Sequence, residues 1–140
     1  IGQIPEVVLD MGTGTGVLAI IAEKLGSKSI LAIDIEPWSV ENTIENVDRN
    51  GCLNVEALCG DVDLIEGRKF GLILANINKN VLKSHIEFYS KSLEKSGILF
   101  LSGFYESDVE ELVAYSSEYN LREEKVISKD SWACIKLVKK

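Results

Sequence analysis

The sequence predicts a doubly wound α/β sandwich: a mostly parallel seven-stranded sheet ending in an antiparallel C-terminal hairpin. Short apolar runs alternate with stretches of helical periodicity, the pattern of βα units. Glycine-rich or acidic turns follow the first three runs, where an open sheet builds its ligand crevice. The last two runs are joined only by the polar turn Ser128-Lys-Asp-Ser131, too short for a parallel crossover, so they must pair antiparallel.

In chain order, Val7 to Met11 is a continuous apolar run with one acid near its end, as in a strand buried on both faces. Gly16 to Leu25 reads as a mostly buried helix carrying Val17, Leu18, Ile20, Ile21 and Leu25, and Gly26 is placed to end it. Ser29 to Ile33 is the second strand, closed by Asp34-Ile-Glu36. Pro37 suits the first turn of a second helix, whose apolar stripe is Val40, Ile44 and Val47, and Asn50-Gly51 stops it. Val55 to Cys59 is the third strand, leading into Gly60-Asp61. A short irregular link through Glu66-Gly-Arg68 precedes the fourth strand, Phe70 to Ala75. Lys79 to Lys95 is helical, and Ser96-Gly97 turns the chain into the fifth strand, Ile98 to Ser102. Asp108 to Tyr119 follows as a helix, and the hairpin strands are Leu121 to Ile127 and Trp132 to Val138.

The 140 residues, 46% of them hydrophobic, suffice for one core and one domain spanning 1–140. A net charge of −7 argues against direct nucleic-acid binding, which draws on a basic face to displace counterions. No apolar run is long enough to span a bilayer and no secretory signal opens the sequence, so a cytoplasmic location without membrane attachment is expected. The abrupt opening Ile1-Gly-Gln-Ile-Pro5 before a core strand is what a fragment of a longer protein would show. Cys52, Cys59 and Cys134 lack C-x-x-C spacing, so buried free thiols are expected and neither a disulfide framework nor a metal site. His85, the only histidine, falls at helical spacing with Leu82, Ile86 and Tyr89, which predicts a structural place at the core edge.

The chemistry is expected at the strand ends. In Asp10-Met-Gly-Thr-Gly-Thr-Gly16, glycines at every second position leave one face of the backbone open where a strand becomes a helix. Gly12, Gly14 and Gly16 follow G-x-G-x-G, but Val17 stands where the dinucleotide fingerprint G-x-G-x-x-G wants its third glycine. Asp34, ending the second strand, can accept from both hydroxyls of a ribose and suits either NAD or S-adenosylmethionine. Two further acids discriminate. Asp10 can meet a ligand ammonium, and Asp61 can accept from an adenine amino group. Ile35 either lies against an adenine face or belongs to the core.

Val8-Leu-Asp-Met-Gly-Thr-Gly-Thr-Gly-Val-Leu-Ala-Ile20, Asp34-Ile-Glu-Pro37, Glu45-Asn46, Asn50-Gly51, Ala75-Asn-Ile77, Ser102-Gly103 and the late Trp132 together resemble the catalytic domain of the bacterial ribosomal protein L11 methyltransferases. The resemblance implies the Rossmann-like fold of class I methyltransferases, S-adenosyl-L-methionine as cofactor, and methyl transfer to protein amines. The implied partner is a protein substrate, possibly a large-subunit ribosomal protein. It places Gly12, Gly14 and Gly16 along the cofactor, Asp34 at its ribose and Asp61 at its adenine end, and Asp10, Thr13 and Ile35 complete the expected cofactor-binding set. Asn76 would face both the methyl group and the incoming amine, and is the expected catalytic residue. The resemblance implies an amino-terminal substrate-recognition domain in family members, which is expected to lie outside this sequence. Neither Asn-Pro-Pro-Tyr nor Asp-Pro-Pro-Tyr occurs, which argues against base methylation, although RNA or a small molecule stays open as an alternative substrate, as does a binding module without activity.

Overall fold

The computed structural model describes residues 3–140. Its strands are β1 (Val7–Met11), β2 (Ser29–Asp34), β3 (Val55–Cys59), β4 (Phe70–Asn76), β5 (Leu93–Tyr105), β6 (Leu121–Lys129) and β7 (Trp132–Lys139). The helices are α1 (Val17–Lys24), α2 (Pro37–Arg49), α3 (Lys79–Ser92) and α4 (Val109–Ser117), with single 3₁₀ turns at Val62–Ile65 and Glu106–Asp108. The strands form one seven-stranded sheet in the order β3-β2-β1-β4-β5-β7-β6. All pairs from β3 to β5 are parallel, and β7 runs antiparallel to both β5 and β6. The expected doubly wound, mostly parallel seven-stranded sheet with its antiparallel C-terminal hairpin is therefore present. Its reversal of direction between β1 and β4 opens the crevice at their carboxyl ends.

The two sheet faces carry separate cores. Under α1, Val8, Ile30, Ala32 and Leu72 pack with Ala19 and Ala22. Under α3 and α4, a larger cluster joins Leu9, Ile33, Ile73, Leu99, Leu101 and Ile135 to Leu82, Ile86, Tyr89 and Leu112. Alternation along each central strand sends successive side chains to opposite faces, so both must be apolar.

Turn chemistry sets the element ends. Gly26, at φ 115°, follows the α1 cap, and Pro37 starts α2 where a missing N–H is no loss. The terminal hairpin is tighter than expected: β6 runs to Lys129, leaving Asp130 and Ser131 as a two-residue turn at φ 52° and 72°. The helix α3 stops at Ser92 rather than Lys95, because Phe70 pairs with Leu93 while Leu72 pairs with Ile98. The intervening residues bulge out of β5, with Ser96 at φ 68°.

Three expectations about burial are corrected. The bulky residues of α1 face outward: Ala19 and Ala22 are buried, whereas Val17 is 54% and Ile21 46% exposed. Small side chains allow the helix to sit close on the sheet, which turns its larger ones away. On α2 the inward stripe is Val40 and Thr43 with half-buried Val47, and Ile44 is exposed, lying about 100° around the helix from Thr43. Of the three thiols only Cys52 is buried; Cys134 is half-buried, and Cys59 is exposed at the end of the edge strand β3.

These placements predict opposite outcomes for two apolar truncations. Leu99→Ala, in the large core, should lower stability by about 2–5 kcal/mol in urea unfolding. Ile21→Ser, despite lying in the most apolar helix, should stay within about 0.5 kcal/mol of the parent.

Candidate functional site

The glycine turn between β1 and α1 is held by the second βα unit. The N–H groups of Gly12 and Thr13 both donate to the Ile33 carbonyl, at 2.8 and 3.0 Å. The Gly14 N–H donates to Asp34 Oδ2 at 2.9 Å. From α2, Thr43 Oγ1 donates to the Gly14 carbonyl and Asn46 Nδ2 to the Thr15 carbonyl. Gly14 itself adopts φ 60°, and a Cβ there would meet nothing within 4 Å. Its glycine is thus required by backbone conformation and leaves open space above the turn. Gly16 caps α1 behind it, packed toward Thr43.

A cleft of about 490 Å³ opens at the carboxyl ends of β1, β2 and β4. Its wall includes Gly12, Asp34, Ile35, Asp61, Asn76 and His85. Five of the residues expected at the site are thereby brought together, whereas Asp10, Thr13, Gly14 and Gly16 lie behind the wall, in or beneath the glycine turn. Ile35 is 61% exposed on the rim, which settles its two readings in favour of the surface.

Asp10 lies deepest, 1% exposed at the end of β1. Thr13 Oγ1 donates to its Oδ2 at 2.7 Å, but no donor reaches Oδ1 in hydrogen-bonding geometry. Burial pushes the carboxyl up to about 6, against the Thr13 hydroxyl and the nearby Ala19 N–H, which favour the anion; the Asp34 carboxylate adds to the rise. An unsatisfied buried carboxylate oxygen is costly, and a cationic or N–H-bearing ligand is what would relieve it.

Asp34 engages one backbone donor with each oxygen: Gly14 N–H on Oδ2 and Glu36 N–H, at 3.0 Å, on Oδ1. Each oxygen keeps a further lone-pair direction for a ligand hydroxyl. Asp61 caps the 3₁₀ turn through Oδ1, which accepts from Val62 N–H at 2.7 Å. Asn76 ends β4 and is exposed. Behind it, the Ile77 N–H donates to the Ser102 carbonyl, and Gly103 adopts φ 94° at a bulge in β5. A Cβ at Gly103 would lie 2.8 Å from Asn76 Oδ1 and 3.0 Å from the Ile77 backbone. Ala75-Asn-Ile77 and Ser102-Gly103 are thus two halves of one contact.

His85 escaped the sequence reading as a site residue. It is buried as expected, yet it borders the cleft and reaches Asp61. The usable signal was a polar side chain on an otherwise apolar stripe of α3. Thr43 and Asn46 were also missed, because nothing in a helix stripe announces a bond to a turn from another βα unit.

Asp10 makes stability depend on pH in a stated direction. Its folded proton affinity exceeds the unfolded one, so its contribution is most favourable below about pH 4 and declines as pH rises through about 6, by about 3 kcal/mol in full. Asp10→Asn should therefore be more stable than the parent at pH 7.5 and lose that advantage at pH 4, as read by thermal unfolding at the two pH values.

The family model described as ribosomal protein L11 methyltransferase (PrmA) matches residues 2–140. A relative named ribosomal protein L11 methyltransferase from Porphyromonas gingivalis is 41% identical over 92% of this chain and 45% of its own length. Its namesake from Bacteroides fragilis is 36% identical over 94% of this chain and 47% of its own. The chain thus spans about half the length of the curated relatives it matches. A crystal structure of ribosomal protein L11 methylase from Lactobacillus delbrueckii subsp. bulgaricus superposes with a TM-score of 0.93 at 28% identity, covering 100% of this chain and 72% of that one. With a family match over residues 2–140 and a relative 41% identical over 92% of this chain's length, the chain belongs to the ribosomal protein L11 methyltransferase (PrmA) family.

Proposed function

We propose that this chain is the catalytic domain of an S-adenosyl-L-methionine-dependent N-methyltransferase whose substrate is an amine of a ribosomal protein, L11 by its relatives' name. The observation that carries the reading is the unpartnered Oδ1 of Asp10, buried beneath a glycine turn with two further acids at the ends of neighbouring strands. This set of acceptors fits the cofactor. Asp10 would receive its ammonium, Asp34 its ribose hydroxyls and Asp61 its adenine amino group, with Gly12, Thr13, Gly14 and Gly16 forming the turn against which it lies and Ile35 flanking the base. When bound, S-adenosylmethionine supplies a methyl group already activated on a sulfonium.

What is left to the protein is positioning. An amine must arrive neutral, and removing a proton from a lysine of pKa about 10.4 at pH 7 costs about 4–5 kcal/mol. Asn76 offers an amide carbonyl at the cleft edge, held by its packing against Gly103. Accepting one N–H there orients the nitrogen lone pair toward the cleft interior, and such orientation is a large share of the catalysis open to this chemistry. Asn76 donates no proton and takes none; the proton lost by the amine goes to solvent. No lysine or arginine lies in the cleft wall among the described residues, which supports an uncharged amine over a phosphate-bearing substrate.

The test is transfer of labelled methyl from S-adenosylmethionine to ribosomal protein L11 by the full protein. Cofactor binding with no transfer to L11 would reassign the substrate. Asp34→Ala should weaken cofactor binding by about 2–4 kcal/mol in titration calorimetry, since it removes a charged acceptor and frees the Gly14 N–H. Asn76→Ala should lower kcat by about a hundredfold while leaving cofactor affinity within about threefold. Equal loss of both would place Asn76 with the cofactor instead of the amine.

A further inference from the structure

Asp61, His85 and Tyr89 line up in a polar relay that the proposed reaction does not use. His85 Nε2 lies 3.3 Å from Asp61 Oδ1, the oxygen that already accepts from Val62 N–H at 2.7 Å. On its other side, His85 Nδ1 lies 2.9 Å from the hydroxyl of Tyr89, one helical turn further along α3. Tyr89 is fully buried, and its ring stands edge-on to the imidazole at 5.5 Å. Asp61 is largely exposed, with its side chain 62% accessible and bordering the cleft.

Chemistry fixes the direction of these bonds. A carboxylate only accepts, so the imidazole nitrogen facing it must carry hydrogen. Nδ1 of a neutral ring is then bare and accepts from the Tyr89 hydroxyl. Burial lowers the His85 pKa, and although the Asp61 carboxylate raises it, burial prevails. Tyr89 is held far above the usual phenol range by burial, then by Asp61, and remains a donor. The neutral Nε2–H tautomer is the one consistent with both neighbours.

If His85 only filled space, an aliphatic side chain would do so without desolvating two ring nitrogens; Leu82 and Ile86 beside it are fully buried and apolar. The ring instead secures one oxygen of an otherwise exposed carboxylate. We infer that His85 is a positioning residue for Asp61: with Val62 N–H it occupies Oδ1 and leaves Oδ2 as the acceptor presented to an adenine amino group, which selects adenosine over inosine. This rests on the adenosine-site reading above and adds to it the residue that orients the base-selecting acid.

His85 is the chain's only histidine, so its ring nitrogens can be observed without mutation. ¹⁵N NMR of the ligand-free protein at pH 7 should show a protonated Nε2 and a bare Nδ1. In titration calorimetry the parent should bind S-adenosylhomocysteine well and S-inosylhomocysteine, which turns a carbonyl oxygen toward Asp61, poorly. His85→Leu should weaken the first by about tenfold, the worth of one good hydrogen bond, and leave the second unchanged. His85→Gln, which keeps an N–H donor, should restore most of the preference, and Asp61→Ala should abolish it.

An Nδ1–H tautomer, or equal loss of both ligands in a folded His85→Leu variant, would reduce His85 to a structural residue and overturn the inference. Unchanged binding of both would do the same. Should His85→Leu fail to fold, Tyr89→Phe decides, because losing the hydroxyl leaves Nε2 protonated toward Asp61 but frees the other side of the ring, which should narrow the preference; an unchanged preference refutes the role. A parent chain that binds neither ligand would instead refute the adenosine site itself, and this role with it.

Discussion

The carboxylate of Asp34 joins the two halves of the site. One oxygen takes the Gly14 N–H of the first βα turn and the other takes the Glu36 N–H at the start of α2. A charge-assisted bond of this kind is roughly twice as strong as a neutral one, and here it acts in a partly buried setting. Everything else at the carboxyl edge is arranged around it: Ile33 O gathers the N–H groups of Gly12 and Thr13, while Thr43 and Asn46 hold the carbonyls of Gly14 and Thr15. The glycine turn is therefore shaped from outside, and its open face is available because its other faces are fully used.

That arrangement leaves a local deficit. Asp10 sits beneath the turn with one oxygen unpartnered and its proton affinity raised, so the ligand-free fold carries a buried acid that works against it near neutral pH. The large core under α3 and α4 supplies the stability that tolerates this. Rigidity there also matters for placement, since α3 carries His85 and Tyr89 on the same stripe as Leu82 and Ile86. In its proposed role Asp61 is thus referenced to the core through His85.

The fold was legible because its signals are redundant: apolar runs, punctuating glycines and a hairpin too short to be parallel all point the same way. The residues of the cleft wall were legible for a related reason, since Asp34, Asp61 and Asn76 mark strand ends that topology must gather at one edge. What sequence could not give was which side of an apolar helix faces inward. In α1 nearly every position is hydrophobic, so periodicity is flat, and the decision falls to helix-to-sheet distance, which favours Ala19 and Ala22. Partners distant in sequence were equally hidden. The Asn46 bond to the Thr15 carbonyl gives Glu45-Asn46 its meaning, and Gly103 against Asn76 does so for Ser102-Gly103, but neither follows from spacing along the chain.

Val17 in place of a third glycine first turned the reading away from a dinucleotide, and the structure supplies a stronger reason. A pyrophosphate at a strand-to-helix turn needs free N–H groups. Here the N–H groups of Gly12, Thr13 and Gly14 are all committed, the first two to Ile33 O and the third to Asp34. The acceptor holding Gly14 is itself a carboxylate, at the edge where a phosphate would lie. Asp34, Glu36 and Asp61 line the cleft together, with no lysine or arginine in its wall among the described residues. Negative charge brought into that space would meet like charge on several sides, whereas a ligand bearing cationic and N–H groups meets acceptors. Three of the N–H groups at the turn are thus already engaged, and a phosphate's charge would meet the carboxylates of the cleft wall.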